Sequence, residues 1–123
     1  MTVGPITVRP SITLTEFIDS YVYRYHHKLF PVQDNGRLLG VISTNQLRHV
    51  PRAEWPFRKV SAVTVPLSNT TTVAPDTQAL EALARMREQG QSRLLVVENG
   101  RLAGMVTSQD LLNFLTLKLE LAP

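Results

Sequence analysis

Thr107 and Asp110 stand where a polar pair could do chemistry. They sit three residues apart, where an apolar strand-like run ends and a helical pattern begins, so both can face the first helical turn. Free amides at a helix start, with the positive end of the dipole, suit a phosphate. The Thr107 hydroxyl can donate to a phosphate oxygen, and the ionised Asp110 has two oxygens for the two hydroxyls of a ribose. A plainer reading fits the same residues: Ser108 caps the helix and Asp110 favours its first turn, with no ligand needed. Sequence leaves both readings open. Arg93, just before a strand, and Arg58 and Lys59 are further candidates for a phosphate contact, although an exposed charge without a role is the default for each.

Other chemistries find little support. His26 and His27 are adjacent and point in different directions on a helix, while His49 is distant, so no metal site is expected. Cysteine is absent, which removes thiolate catalysis, disulfides and cysteine–zinc sites together. There is no nucleophile elbow, phosphate-binding Walker loop, dinucleotide fingerprint, His-Glu-x-x-His helix or catalytic carboxylate pair, and the chain is not expected to be an enzyme. With 43% hydrophobic and 19% charged residues, the composition is that of a soluble globular protein. No apolar run approaches the roughly 20 residues that span a bilayer. The first five residues lack the features of a secretory signal, and a cytoplasmic location is expected. The net charge is +3, but the basic residues are scattered as singles and pairs, so nucleic-acid binding ranks low.

The elements that must position Thr107 and Asp110 occur twice. Val32-Gln33-Asp34-Asn35-Gly36-Arg37-Leu38-Leu39-Gly40-Val41-Ile42-Ser43 reappears as Val96-Val97-Glu98-Asn99-Gly100-Arg101-Leu102-Ala103-Gly104-Met105-Val106-Thr107. Upstream, Val8-Arg9-Pro10 matches Val73-Ala74-Pro75. In the first copy Leu14, Phe17, Ile18, Tyr21, Val22 and Tyr25 form one apolar helical face, with Thr13 and Glu16 at capping-box spacing. This places Tyr21 and Tyr25 in the core and Tyr23 elsewhere. Ala79, Ala82, Leu83 and Met86 carry the equivalent face in the second copy. Each copy then has a short strand (29–32 and 94–97), an Asn-Gly hairpin turn and a second strand (38–43 and 102–107). A helix follows, over about 45–49 in the first copy and about 109–119 in the second. The repeats are placed at 1–54 and 55–123. The segment 50–56, with two prolines, separates them, and Trp55 is read as a packing anchor between copies. Neither copy can bury its sheet face alone, so the two are expected to pack sheet to sheet.

This β-α-β-β-α repeat resembles the CBS domain, and the tandem resembles the Bateman module that paired CBS domains form, an α+β fold. The resemblance is carried by Phe30-Pro31-Val32 with Gly40-Val41-Ile42-Ser43, and by Leu95-Val96-Val97 with Gly104-Met105-Val106-Thr107-Ser108-Gln109-Asp110-Leu111. A finer likeness, over 21–32 and 47–63, is to the CBS pairs attached to membrane-embedded site-2-type zinc metalloproteases. The CBS resemblance implies that Thr107 and Asp110 hold the phosphate and ribose of an adenine nucleotide. It further implies that Val63, Thr64 and Val65, with Leu94 and Leu95 nearby, wall the base. Ser43 and Gln46 take the corresponding places in the first copy, where the carboxylate is missing, so that second site is expected to be degenerate.

Three functions follow as expectations. The first is a non-catalytic sensor of AMP, ADP, ATP or S-adenosylmethionine that controls an attached or partner protein, such as a metalloprotease. The second is a ligand-free homodimerisation module, for which Leu111, Leu112, Leu115 and Leu119, with Leu117 and Leu121 beside them, supply an apolar stripe. The third, ranked last, is a nucleic-acid binder.

Overall fold

The computed structural model describes residues 4–68 and 71–122, which divide into two compact units, Ile6–Leu67 and one built on Ser68–Pro123.

In the first unit Thr13 starts the helical segment, its hydroxyl oxygen accepting the Glu16 amide at 3.1 Å. The single helix expected through Tyr25 is helical throughout but changes gauge. α1 (Leu14–Phe17) opens into a π turn at Ile18–Val22 and closes as α2 (Tyr23–Tyr25). The wider turn still leaves Phe17 and Tyr21 on the core side, where both rings meet Phe30 edge-on at 5.4 and 6.1 Å. Tyr25 packs on the same core, whereas Tyr23 is exposed. The segment stops at His26, whose φ of 58° lies in the left-handed region that ends many helices.

The hairpin of β1 (Leu29–Asp34) and β2 (Arg37–Ser43) turns through Asn35 and Gly36, at φ 50° and 80°. Both turn residues therefore have the positive φ that a two-residue type I′ turn demands. Val8 lies parallel to Val32 on one flank, and Val65 lies antiparallel to Val41 on the other. α3 (Thr44–Leu47) is shorter than the expected 45–49. The next three amides bond only three residues back, to Asn45, Gln46 and Leu47, and Pro51 prevents continuation. The core gathers Val8, Leu14, Phe17, Phe30, Val32, Ile42, Leu47 and Val60, with Trp55 and Val63 packed against it. The Trp55 indole N–H donates to the Val50 carbonyl at 3.0 Å, so the tryptophan anchors this unit's own core. Residues 55–67 thus pack with the first unit.

The second unit repeats the plan. β3 (Thr72–Val73) runs parallel to β4 (Arg93–Glu98), which pairs antiparallel with β5 (Arg101–Thr107) in the order β3-β4-β5. Asn99 and Gly100 make the same turn, at φ 52° and 76°. Both hairpins slip register at the same point, Val32/Gln33 and Val96/Val97. α4 (Ala79–Gln89) ends on left-handed Gly90, and α5 (Ser108–Glu120) closes the unit. Val73, Ala82, Met86, Leu94, Val96 and Val106 form its core, with Leu83 and Leu111 against it. Among the described residues no helix is long and apolar enough to cross a membrane.

Candidate functional site at the start of the last helix

Thr107 ends β5 with extended backbone angles (φ −106°, ψ 160°), and α5 begins at the next residue. Its hydroxyl oxygen accepts the Asp110 amide at 3.1 Å, while its own amide donates to Asp110 Oδ2 at 3.2 Å. The two residues therefore form a reciprocal capping box. This corrects the plainer reading of the sequence in one respect: Thr107 is the cap, not Ser108. Ser108 is the first helical residue, and its amide donates across the sheet end to the Ser92 carbonyl at 2.9 Å. Only the residue before the helix has the extended backbone that lets a side chain reach forward to the exposed amides.

The Asp110 carboxyl is held below the ordinary aspartate range, chiefly by the Thr107 amide. Partial burial works against this and the Thr107 hydroxyl works with it. The group is an anion at neutral pH, fixed by the helix start that it caps.

The ladder adds Arg93, which stands directly opposite Thr107 in the β4–β5 register, so the side chains of the two share a face. Leu94 and Leu95 follow it in β4, both fully buried; Leu94 joins the core of this unit. Sequence reasoning missed a hollow of about 250 Å³ beside Asp110, lined also by Pro75, Thr77, Val106, Leu111 and Phe114. Its one local signal is the turn at 74–77, where Thr77 accepts the Ala74 amide through its hydroxyl oxygen at 3.1 Å.

The first unit holds the counterpart pair. Ser43 and Gln46 occupy the same capping box, the Ser43 amide donating to Gln46 Oε1. Ser43 is buried. Val63, Thr64 and Val65 belong to this unit. Val65 exchanges two 2.8 Å backbone hydrogen bonds with Val41, and Thr64 donates its hydroxyl to the Val60 carbonyl at 2.9 Å. Because the bridge is antiparallel, Val63 runs alongside the Ser43 end of β2. Gly40 permits this approach, since a Cβ there would collide with the Val65 carbonyl and press on the Thr64 methyl. The apolar wall expected from sequence is thus grouped with Ser43 and Gln46, while Thr107, Asp110, Arg93, Leu94 and Leu95 are grouped in the second unit. Arg58 is paired with Glu54 at 3.3 Å, and Lys59 lies beside Thr13 through its backbone.

Two hairpins with matching register slips, each leading into a capping box and a helix, are a signature that can be compared with known proteins. The family model described as the CBS domain matches residues 1–52 and 60–117. The chain belongs to the CBS domain family. Solved structures agree on the fold of the pair. The acetoin utilization protein AcuB of Vibrio cholerae matches all of this chain and 94% of its own, at 25% identity and a TM-score of 0.77. The CBS domain of a bacterial CNNM/CorC family Mg2+ transporter in complex with ATP covers 94% of this chain and 83% of that one, at 21% identity and a TM-score of 0.71. Among curated proteins, the CBS pair is 33% identical over 112 residues to the protein named as zinc metalloprotease Rip3 of Mycobacterium tuberculosis. It is 30% identical over 124 residues to the zinc metalloprotease MJ0392 of Methanocaldococcus jannaschii. Those matches take in 89% and 98% of this chain but only 28% and 33% of the relatives, so the CBS pair corresponds to a third or less of each.

Proposed function

We propose that this CBS pair is a regulatory module that senses an adenine nucleotide through the start of α5 and controls an attached or partner protein. The observation that carries the reading is the Thr107–Asp110 pair. It fixes an anionic acceptor at a helix N-terminus, with Arg93 opposite Thr107 to meet a phosphate. An ATP complex of a CBS domain with the same fold supports the ligand class. The relatives' names support a zinc metalloprotease as the regulated protein. Ser43 and Gln46 lack the carboxylate and form a degenerate second site.

Titration calorimetry with AMP, ADP, ATP and S-adenosylmethionine tests the reading. One of the four is expected to bind the native chain and to lose most of its affinity in Asp110→Asn. Heats indistinguishable from dilution for all four at millimolar concentration would overturn it.

A second reading, a ligand-free homodimerisation module, is favoured by one observation. α5 exposes Leu112, Phe114, Leu117 and Leu119, and Leu121 just past it is exposed as well, an apolar stripe that a second copy could cover. A dimer through this helix is compatible with nucleotide sensing. Light scattering of the native chain and of Leu117→Gln separates the two: a monomer in both removes this reading.

A further inference from the structure

The chain's formal charge of +3 is not spread over it. Between residues 48 and 59 lie Arg48, Arg52, Arg58 and Lys59 against the single acid Glu54, a surplus of three, and the remaining residues balance. The structure winds this stretch into a compact knuckle. The Glu54, Trp55 and Phe57 amides bond three residues back, to Pro51, Arg52 and Glu54, at 2.9, 3.2 and 2.9 Å, and the Arg58 amide also reaches Glu54 at 3.0 Å. The Trp55 indole holds the Val50 carbonyl and so keeps the Arg48 end beside the knuckle. Arg52 lies over the Trp55 ring at 5.5 Å. Out of this basic collar stands Phe57, 86% exposed, the least covered large apolar side chain among the described residues.

Phe57 stands open to water, and within its twelve-residue stretch four cations share a single acid. Both features are met at once by a surface that offers anionic headgroups around a shallow apolar layer. We infer that the 48–59 knuckle is a docking site for an anionic lipid bilayer, with Phe57 entering the headgroup–acyl boundary and Arg48, Arg52, Arg58 and Lys59 lying among the phosphates. The side chain is on an exposed turn and the hollow described above belongs to the other unit, which favours a surface that the ring enters over a peptide that would have to enclose it.

The site is testable because Trp55, the only tryptophan, lies two residues from Phe57 and reports its surroundings by fluorescence. The chain is titrated with vesicles of phosphatidylcholine containing 30–40% phosphatidylglycerol, roughly the anionic content that gives a strong surface potential. The same titration is run with pure phosphatidylcholine, at low and at physiological salt. Binding is expected only to the anionic vesicles, with a change in Trp55 emission and weakening as salt rises. Lys59→Gln is expected to reduce partitioning about fivefold, and Lys59→Gln with Arg52→Gln about 25-fold, from the usual contribution of a basic residue near such a surface. Phe57→Ser, at a site too exposed to matter for folding, is expected to weaken binding and abolish the emission change. Three results overturn the inference: no binding at low salt, equal binding to neutral vesicles, or binding untouched by Phe57→Ser. A polyanion such as an oligonucleotide that binds through the same cations, while vesicles do not, would instead mark the patch as a nucleic-acid contact and also overturn it.

Discussion

Removing the Thr107 side chain separates what the capping box does for folding from what it could do for a ligand. In Thr107→Ala the Asp110 amide loses its acceptor at 3.1 Å, while the hydrogen bond from the Thr107 backbone amide to the Asp110 carboxylate is retained. Losses of this kind cost about 1 kcal/mol, within a span of about 0.5–2. For a chain of this length that is a fall in Tm of about 3–6 °C. Asp110→Ala removes the reciprocal bond and the favourable charge at the dipole's positive end, and is expected to cost a similar amount. A nucleotide at a hundred times its dissociation constant adds about 2.7 kcal/mol, or roughly 10 °C, on top of whichever baseline applies. Thermal melting of the native chain and both variants, with and without ligand, therefore gives two independent readouts. The unliganded difference measures the cap, and the liganded increment measures the site. The cap also has a pH signature. The Asp110 carboxyl is held low in the folded state, so its contribution is complete above the ordinary aspartate range. It is lost as pH falls below about 4 toward the depressed folded-state value. The native chain's advantage over Asp110→Asn should accordingly be level near neutrality and shrink in acid. An unliganded Tm unchanged in both Thr107→Ala and Asp110→Ala would refute the capping argument, whatever the ligand does.

Other perturbations test the frame that carries the site. Gly40→Ala should destabilise the first unit by about 1–3 kcal/mol, read by urea unfolding, because the new methyl meets the Val65 carbonyl and forces the 63–65 segment off β2. Phe17→Ala should cost about 3–5 kcal/mol in the same assay, since the ring is fully buried and touches both Tyr21 and Phe30. Asn99→Ala places a less tolerant residue at φ 52° in the second hairpin turn and should lower Tm by a few degrees, whereas Asn99→Gly should be nearly neutral.

Much of this protein is written in local pattern. The repeat exposed the pair of hairpins, and each Asn-Gly turn fell where predicted because positive φ at two successive positions is a requirement that few residues meet. The helical face of the first repeat and the pair at 107 and 110 were equally legible, since spacing of three and four residues decides what shares a turn. Boundaries were less so. α3 ended short of the expected 45–49 even though Pro51 was in view, and the π turn at 18–22 lies where Tyr21 meets the Phe30 ring, a contact that spacing along the helix does not reveal. The cap moved from Ser108 to Thr107 because the strand's end, not the residue type, decides which oxygen faces the open amides.

What tertiary structure alone decided is which residues keep company. Arg93 comes opposite Thr107 through the β4–β5 register, a relation between residues 14 positions apart that a single slip of the hairpin would reverse. Val63, Thr64 and Val65 sit on β2 with Ser43 and Gln46 because Val65 completes the open hydrogen bonds of Val41, and Gly40 leaves room for it. The sequence by itself determined the elements and their order, because turns, caps and apolar faces are governed by neighbours along the chain. The groupings that make a site arise from backbone pairing and burial between distant segments, and only the folded chain fixes those.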